Sequence, residues 1–165
     1  MTTSDSIRVA HSTTPVTLIS ELISWLANLE QWAVAMTLTF DQPNHSNRSL
    51  TDRAIIDVTC AFIQRVNQEI FGHGARRKNL RVGSAFCIER NSLGDHPHVH
   101  LTLTIPPSWQ FSEFEILLQK LTKRFTVIGR QVDIQPYVNS GWIGYCVKHG
   151  AEGLVIDQIQ EAYPR

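Results

Sequence analysis

The chain has 165 residues, of which 42% are hydrophobic, with 15 Lys and Arg residues against 15 Asp and Glu residues. This length and composition predict one globular domain and exclude a disordered binding tail or a collagen-like repeat. Because the net charge is zero and only 18% of the residues are charged, a uniformly basic nucleic-acid-binding surface is excluded, and any such site must be local.

The polar N-terminus and the sparse cysteines indicate a cytoplasmic protein. No apolar run reaches the ~18 residues that span a bilayer, and residues 1–14, a polar leader, lack the plan of a signal peptide. Cys60, Cys87 and Cys146 lie far apart without a CxxC pair, which argues against a disulfide framework or a cysteine-based zinc site. We expect buried free thiols and no membrane partner.

The predicted domain, residues 15–165, begins with a helix and a strand. Apolar residues at helical spacing predict a helix over residues 15–30. Residues 33–40 alternate between large apolar side chains and small or polar ones, which predicts a strand with one buried face. A loop is expected over residues 41–48.

A second, longer helix is predicted after this loop. Ser49 and Asp52 have the spacing of a capping box, and apolar residues then recur at helical spacing as far as Ile70. Residues 72–79 include two glycines, which indicates a turn. This turn also carries the densest positive charge in the chain, so it is a candidate for phosphate contacts.

A hairpin and a third helix are predicted next. Residues 82–89 and 97–105 both alternate in the manner of strands, and the polar residues 90–95 between them indicate a hairpin loop. Ser112 and Glu115 repeat the capping-box pattern before another run of apolar residues at helical spacing.

The last predicted elements are a short strand and a helix. Residues 131–137 read as the strand, and Asn139 or Ser140 can cap a helix that continues through Lys148. Residues 154–163 are expected to add a final amphipathic turn. The resulting order β-α-β-β-α-β predicts an α+β fold, with one antiparallel sheet, helices packed on one face and a last helix near the C-terminus.

Two alternating histidines mark the candidate site. Because strand side chains alternate, His98 and His100 share the face opposite the apolar residues of their strand. Pairing the apolar faces of the hairpin strands requires paired residue numbers with an odd sum, which places Glu89 on the histidine face. With a sum of 187 Glu89 lies opposite His98, and with a sum of 189 it lies opposite His100.

Two imidazoles and a carboxylate are a suitable ligand set for a divalent metal ion, with positions left open for water or phosphate oxygens. Glu89, His98 and His100 therefore predict an open catalytic metal site. The alternative is that these residues are merely exposed to solvent. His96 continues the alternation but precedes Pro97 at the hairpin entry, so we do not count it as a ligand.

A tyrosine and a lysine lie three residues apart in the last predicted helix. Tyr145 and Lys148 would emerge on the same side of that helix. A tyrosine can attack a phosphodiester when its phenol, with an ordinary pKa of about 10, is deprotonated or its developing charge is stabilised. Alone, this Tyr-x-x-Lys spacing is weak evidence for a catalytic tyrosine. The evidence is stronger here because the helix follows a sheet that carries two alternating histidines.

Three short motifs stand in order along the chain, and they are Thr37-Leu38-Thr39-Phe40, Glu89 with His98-Val99-His100, and Tyr145-Cys146-Val147-Lys148. In this order they resemble the motifs of the HUH endonucleases. The resemblance is greatest to single-tyrosine rolling-circle replication initiators (Rep) of plasmids, phages and small circular single-stranded DNA viruses. It extends from about residue 33 to residue 150.

The resemblance implies site-specific nicking and strand transfer on single-stranded origin DNA. Tyr145 would attack the scissile phosphate, remain joined to its 5′ side and release a 3′ hydroxyl that primes replication. Glu89, His98 and His100 would hold Mg²⁺ or Mn²⁺, and Lys148 would help to position or neutralise charge.

Contacts with the DNA are expected from Thr37 and Thr39 in the first motif and from the basic cluster Arg76, Arg77 and Lys78. No phosphate-binding GxxxxGK[ST] motif occurs in the chain. Strand separation would therefore require a host helicase or another separate helicase.

Two other functions remain open at this point. The series His96, His98, His100 also resembles the histidine-triad nucleotide hydrolases, in which a histidine is the nucleophile and no metal is needed. The element order is also that of RRM domains, which bind RNA through aromatic side chains on the open sheet face. A mechanism with two tyrosines is not supported, since Tyr137 is predicted at a strand end.

Overall fold

The structure is a computed structural model that describes residues 16–41, 50–90, 97–147 and 153–163. Its elements, in chain order, are α1 (Val16–Leu29), β1 (Val34–Phe40), α2 (Asp52–Phe71), α3 (His73–Arg77), β2 (Ser84–Glu89), β3 (His98–Leu103), α4 (Phe111–Thr122), β4 (Ile128–Pro136), α5 (Gly141–Cys146) and a 3₁₀ turn (Ile156–Gln158). The N-terminal leader and most of both predicted loops lie outside the described residues.

The four strands form one antiparallel sheet in the order β2-β3-β1-β4. Strands β3 and β1 are central, so the strand that carries both histidines has a neighbour on each side. The predicted α+β class, with an antiparallel sheet and helices, is confirmed.

The main core lies between one face of the sheet and helices α2 and α4. Along β1 every second residue from Val34 to Phe40 has no exposed surface, and the same holds for Val99, Leu101 and Leu103 on β3. Burying such side chains stabilises the fold by roughly 1.5–3 kcal/mol each relative to leaving them exposed. This alternation fixes the opposite face as the one that carries Thr37, Thr39, His98 and His100.

That second face is also partly covered, and the prediction that helices pack on one face only is wrong for α1 and α5. Leu26 of α1 and Ile143 of α5 pack with Ala85 and Cys87 of β2 in a second apolar cluster. The short side chains of β2 on this face leave room for helices to approach. The β2 half of the second face is therefore covered, while exposed polar side chains line its β4 half.

Both predicted capping boxes are displaced. Helix α2 is capped by Thr51, whose side chain accepts a hydrogen bond from the backbone N–H of Ala54, and Ser49 lies outside the described residues. Helix α4 begins after Gln110, whose backbone N–H donates to the carboxylate of Glu113. Competing cap residues lie two positions apart in both segments, so pattern alone selected the wrong one.

Strand β4 begins three residues before its prediction, at Ile128. Gly129 weakens the strand pattern because glycine is rare in strands. In the fold, glycine suits this position because it has no Cβ: a Cβ here would lie only 2.6 Å from Oδ1 of Asp41. The pairing of β1 with β4 is irregular between Leu38 and Phe40.

The C-terminal segment lies along the outer edge of β2. Three isolated bridges pair Leu154 with Cys87, Gln160 with Ser84, and Tyr163 with Arg81. The expected amphipathic turn is thus reduced to the 3₁₀ turn, because the segment supplies edge hydrogen bonds to the sheet.

Residues 73–77 form a helical turn where the sequence predicted only a turn, and Gly72 enters it with φ of 52°. None of the helices among the described residues combines the length and apolar character needed to cross a membrane.

Candidate active site

The strand pairing places the predicted ligands side by side. Glu89 lies directly opposite His98 on the neighbouring strand, which is the register with a sum of 187. On its other side β3 pairs with β1, so that Thr39 lies opposite His98 and Thr37 opposite His100. These five residues share the face opposite the main core.

The two threonines fix the direction of the imidazole rings. Thr37 Oγ1 lies 3.2 Å from Nδ1 of His100, and Thr39 Oγ1 lies 3.0 Å from Nδ1 of His98. For His98, an Nδ1–H that donates to the Thr39 hydroxyl leaves the lone pair on Nε2, whereas Nε2 of His100 is hydrogen-bonded to Glu89. Histidines that bind metals are usually oriented in this way by a hydrogen bond to the second ring nitrogen.

Glu89 and His100 are in direct contact. Glu89 Oε2 lies 2.7 Å from Nε2 of His100, and the two side chains are 23% and 6% exposed. Two ligands at right angles on an ion with ~2.1 Å bonds lie roughly 3.0 Å apart. At 2.7 Å the present contact is a hydrogen bond, in which Oε2 accepts from Nε2–H; a bound ion would have to displace that proton and would hold the two atoms only slightly farther apart. Within the described ranges, no three His, Cys, Asp or Glu side chains are grouped closely enough to hold an ion in this conformation.

Tyr145 lies over the buried histidine. Its ring centroid is 5.2 Å from that of His100, with the ring planes at 85°, and the residue is 47% exposed. Trp142, one helical turn earlier, has its ring centroid 5.4 Å from His100. Helix α5 is held in this position by Ile143, which is 1% exposed and packs into the second apolar cluster. The phenol is thus fixed close to the imidazole and open to solvent.

The other tyrosine near α5 has a different environment. The hydroxyl of Tyr137 is buried and has no hydrogen-bond partner in the described part of the chain. Burial, together with the nearby Cys146 thiol, raises the pKa of Tyr137. Tyr145 is therefore the accessible phenol beside the histidines.

The other predicted site residues either fall outside the described residues or are not next to the histidines. Lys148 and His96 fall outside the described residues. The basic cluster Arg76, Arg77 and Lys78 is exposed, but it precedes the Ser84 end of β2, whereas Glu89 ends that strand. At about 3.3 Å per residue the two ends of β2 are some 16 Å apart. The cluster is therefore not brought beside the histidines.

Sequence reasoning missed two features of the site. It assigned Thr37 and Thr39 to DNA contacts and did not foresee their hydrogen bonds to the imidazoles. The available signal was the spacing, because the two threonines and the two histidines are each two residues apart on their strands. Sequence reasoning also missed that Cys87 lies opposite His100 and close to Cys146. Contact with the Cys146 thiol, together with burial, raises the pKa of Cys87, which keeps this thiol protonated. Cys60, Cys87 and Cys146 are all free thiols, but only Cys87 is fully buried.

The hydrogen bond to Thr37 gives a first testable prediction. Thr37→Val keeps the side-chain shape but removes the partner of His100 Nδ1. If Glu89, His98 and His100 hold Mn²⁺ as the sequence predicts, the affinity for Mn²⁺ should therefore fall about 10- to 100-fold. Isothermal titration calorimetry with Mn²⁺ measures this change. Thr126→Val, at an exposed turn position before β4, is the matched control and should bind Mn²⁺ as the wild type does. Equal affinities for all three proteins would contradict an orienting role.

The site thus combines an acid, two imidazoles and an exposed tyrosine from two strands and one helix. A carboxylate with imidazole nitrogens can bind a divalent cation, and a phenol can serve as a nucleophile toward phosphorus. Comparisons of the chain with protein-family models, with curated proteins and with solved structures found no match.

Proposed function

We propose that the protein is a metal-dependent, sequence-specific single-stranded DNA endonuclease and strand transferase of the HUH type, which initiates rolling-circle replication. The observation that supports this most is the position of the Tyr145 ring, 5.2 Å from the ring of His100, which itself contacts Glu89. A phenol, an imidazole and a carboxylate from distant parts of the chain thereby lie together.

The fold is compatible with this proposal. Strand β1, helix α2, strands β2 and β3, helix α4 and strand β4 follow the RRM-like order that HUH nucleases share, with α2 and α4 behind the sheet. Helix α5 then crosses the front of the sheet next to the histidines. On this view α5 is the catalytic helix.

Glu89, His98 and His100 would hold a single Mg²⁺ or Mn²⁺ ion. Such an ion, when bound, neutralises charge on the scissile phosphate and makes the phosphorus more susceptible to attack. With an ion bound, Thr37 and Thr39 would accept from Nδ1–H of His100 and His98, and the ion would replace the hydrogen bond between Nε2 of His100 and Glu89. In this role the threonines are positioning residues.

Tyr145 carries the covalent step. Its phenol oxygen forms a bond to the phosphorus and releases its proton to solvent, while the bond from phosphorus to the 3′ oxygen breaks. The leaving oxygen takes up a proton and becomes a free 3′ hydroxyl, and Tyr145 retains the 5′ phosphate. No water is consumed, so the linkage keeps the energy needed to rejoin strands.

Single-stranded DNA and a helicase are the partners that this function requires. Arg76, Arg77 and Lys78 would contact phosphates of the DNA away from the cleavage point, since they are exposed at the other end of β2. Lys148 would help to position or neutralise charge. A separate helicase would open the duplex in the cytoplasm of the cell that harbours the replicon.

The direct test is covalent capture. The protein is incubated with Mn²⁺ and a pool of single-stranded DNA with a randomised central segment, labelled in separate samples at either end, and is analysed on a denaturing gel. We expect the 3′-labelled strand to migrate with the protein and the 5′-labelled strand to yield a shorter product that a polymerase can extend. A protein-linked 5′ label, or cleavage without an adduct, would contradict the proposed chemistry.

The same experiment separates the alternatives. A histidine-triad hydrolase would act in the presence of chelator and would release nucleotides. A non-catalytic RRM-like module would bind the pool without cutting it.

A further inference from the structure

A shallow pocket lies beside Tyr145, between the end of β4 and helix α5. It has a volume of about 320 Å³, and its lining consists of Ala35, Gln135, Pro136, Val138, Asn139, Gly141, Trp142 and Tyr145. Ala35 and Gln135 are cross-strand neighbours on the front of the sheet. The volume is at the lower end of the range of about 300–1,000 Å³ that is typical of ligand pockets, so the occupant must be small.

The shape of the pocket suits a flat ring. Ala35 supplies a floor with a minimal side chain, and the aromatic rings of Trp142 and Tyr145 contribute to one wall. Val138, which is 84% exposed, adds an apolar side chain on the rim. Aromatic and apolar walls of this kind bind the faces of nucleobases regardless of sequence.

The lining contains no charged side chain, and beside the Trp142 indole and the Tyr145 phenol its polar side chains are the amides of Gln135 and Asn139. Gln135 Nε2 donates to Asp133 Oδ2 (2.7 Å), and Asn139 Oδ1 accepts from the backbone N–H of Gly141 (2.8 Å). These bonds orient the two amides and leave the oxygen of Gln135 and the nitrogen of Asn139 for a ligand. A neutral pocket with amide hydrogen-bonding groups suits an uncharged base edge and not a phosphate.

We propose that this pocket binds one unpaired nucleobase of the DNA, from a nucleotide next to the scissile phosphate, and thereby selects the base at that position. The inference rests on the proposed function, because Tyr145 forms part of the pocket wall and also supplies the attacking oxygen. Gln135 is the specificity-determining residue, since its amide reaches the pocket from the exposed half of the sheet.

The test is a binding selection carried out in chelator, so that no cleavage is required. The wild-type protein is mixed with a single-stranded DNA pool with a randomised central segment, and the retained strands are sequenced. One position should show a preference of about 5- to 150-fold for one base, as expected for discrimination by amide hydrogen bonds. Gln135→Ala should reduce this preference to below about twofold, and Ala35→Val, which fills the floor, should weaken binding of the preferred strand about tenfold or more.

The controls distinguish loss of base recognition in the pocket from unfolding or from a nonspecific effect on DNA binding. Gln119→Ala changes an exposed amide on α4, on the opposite side of the sheet, and should leave the base preference unchanged. Thermal unfolding of each variant shows whether the fold is retained. Free nucleoside monophosphates are added as competitors, and if they displace the preferred strand at equal concentration, the pocket is a site for free nucleotides instead of DNA.

The outcomes are distinguishable from failure of the nuclease proposal. A preference that is absent in the wild type, or that persists unchanged in both folded variants, overturns the base pocket. A preference that Gln135→Ala removes, in a protein that never forms the covalent adduct, supports the pocket and contradicts the nuclease.

Discussion

Tyr145→Phe should abolish the covalent adduct between protein and DNA. The substitution removes the oxygen that is proposed to attack phosphorus, while it retains the ring that packs against His100. The rate of adduct formation should fall at least about 10³-fold, because no other group replaces a missing nucleophile at comparable rate. The affinity for single-stranded DNA should change by less than about twofold, as measured by fluorescence anisotropy.

The chain offers matched controls, since it contains three tyrosines. Tyr163 is 50% exposed, almost the same as Tyr145, but lies in the C-terminal segment beside Arg81. Tyr137 is the tyrosine with the buried hydroxyl. Tyr163→Phe and Tyr137→Phe should both form the adduct. An adduct that survives in Tyr145→Phe and disappears in either control would assign the nucleophile elsewhere.

Loss of the metal ligands should have an effect of similar size. His100→Ala and His98→Ala should each reduce Mn²⁺-dependent cleavage at least about 10²-fold and remove detectable Mn²⁺ binding in calorimetry, because each deletes one of three proposed donors. Added chelator should have the same effect on the wild type. His73→Ala, at an exposed position in α3, should cleave normally.

Glu89→Gln tests metal binding by Glu89 separately from its contribution to the stability of the fold. The amide has almost the same shape as the carboxylate and can still hydrogen-bond to His100, but it lacks the negative charge that a divalent cation requires. We expect the variant to unfold at the wild-type temperature and to lose Mn²⁺ affinity at least about tenfold. If it binds Mn²⁺ and cleaves DNA like the wild type, Glu89 is not a ligand.

The Tyr145 and His100 variants should lose different properties. If Tyr145 acts with a cation held by the histidines, then Tyr145→Phe should still bind Mn²⁺, whereas His100→Ala should retain the phenol and yet form no adduct. A loss of both properties in every variant would indicate unfolding, which the thermal transitions reveal.

Much of the fold follows from local pattern. Alternation along residues 33–40 and 97–105 predicts β1 and β3 and the face that each buries, because side chains in a strand point alternately to the two sides. The same rule places Glu89 with the histidines, and Val34, Leu101 and Leu103 are indeed fully buried. Helix and strand ends were less predictable where several residues compete, as at Thr51 and Gln110.

What only the tertiary structure decided is the neighbourhood of the histidines. The parity rule allowed pairing sums of 187 and 189, and the fold selects 187. The position of α5 across the histidine face depends on the packing of Ile143 in a cluster with Leu26 and Cys87, which come from three separate parts of the chain. Local periodicity states which side of an element is apolar, but it contains no information about which distant element covers that side. The approach of Tyr145 to His100 is therefore a result of long-range burial, whereas the alternation of the histidines is a property of the sequence alone.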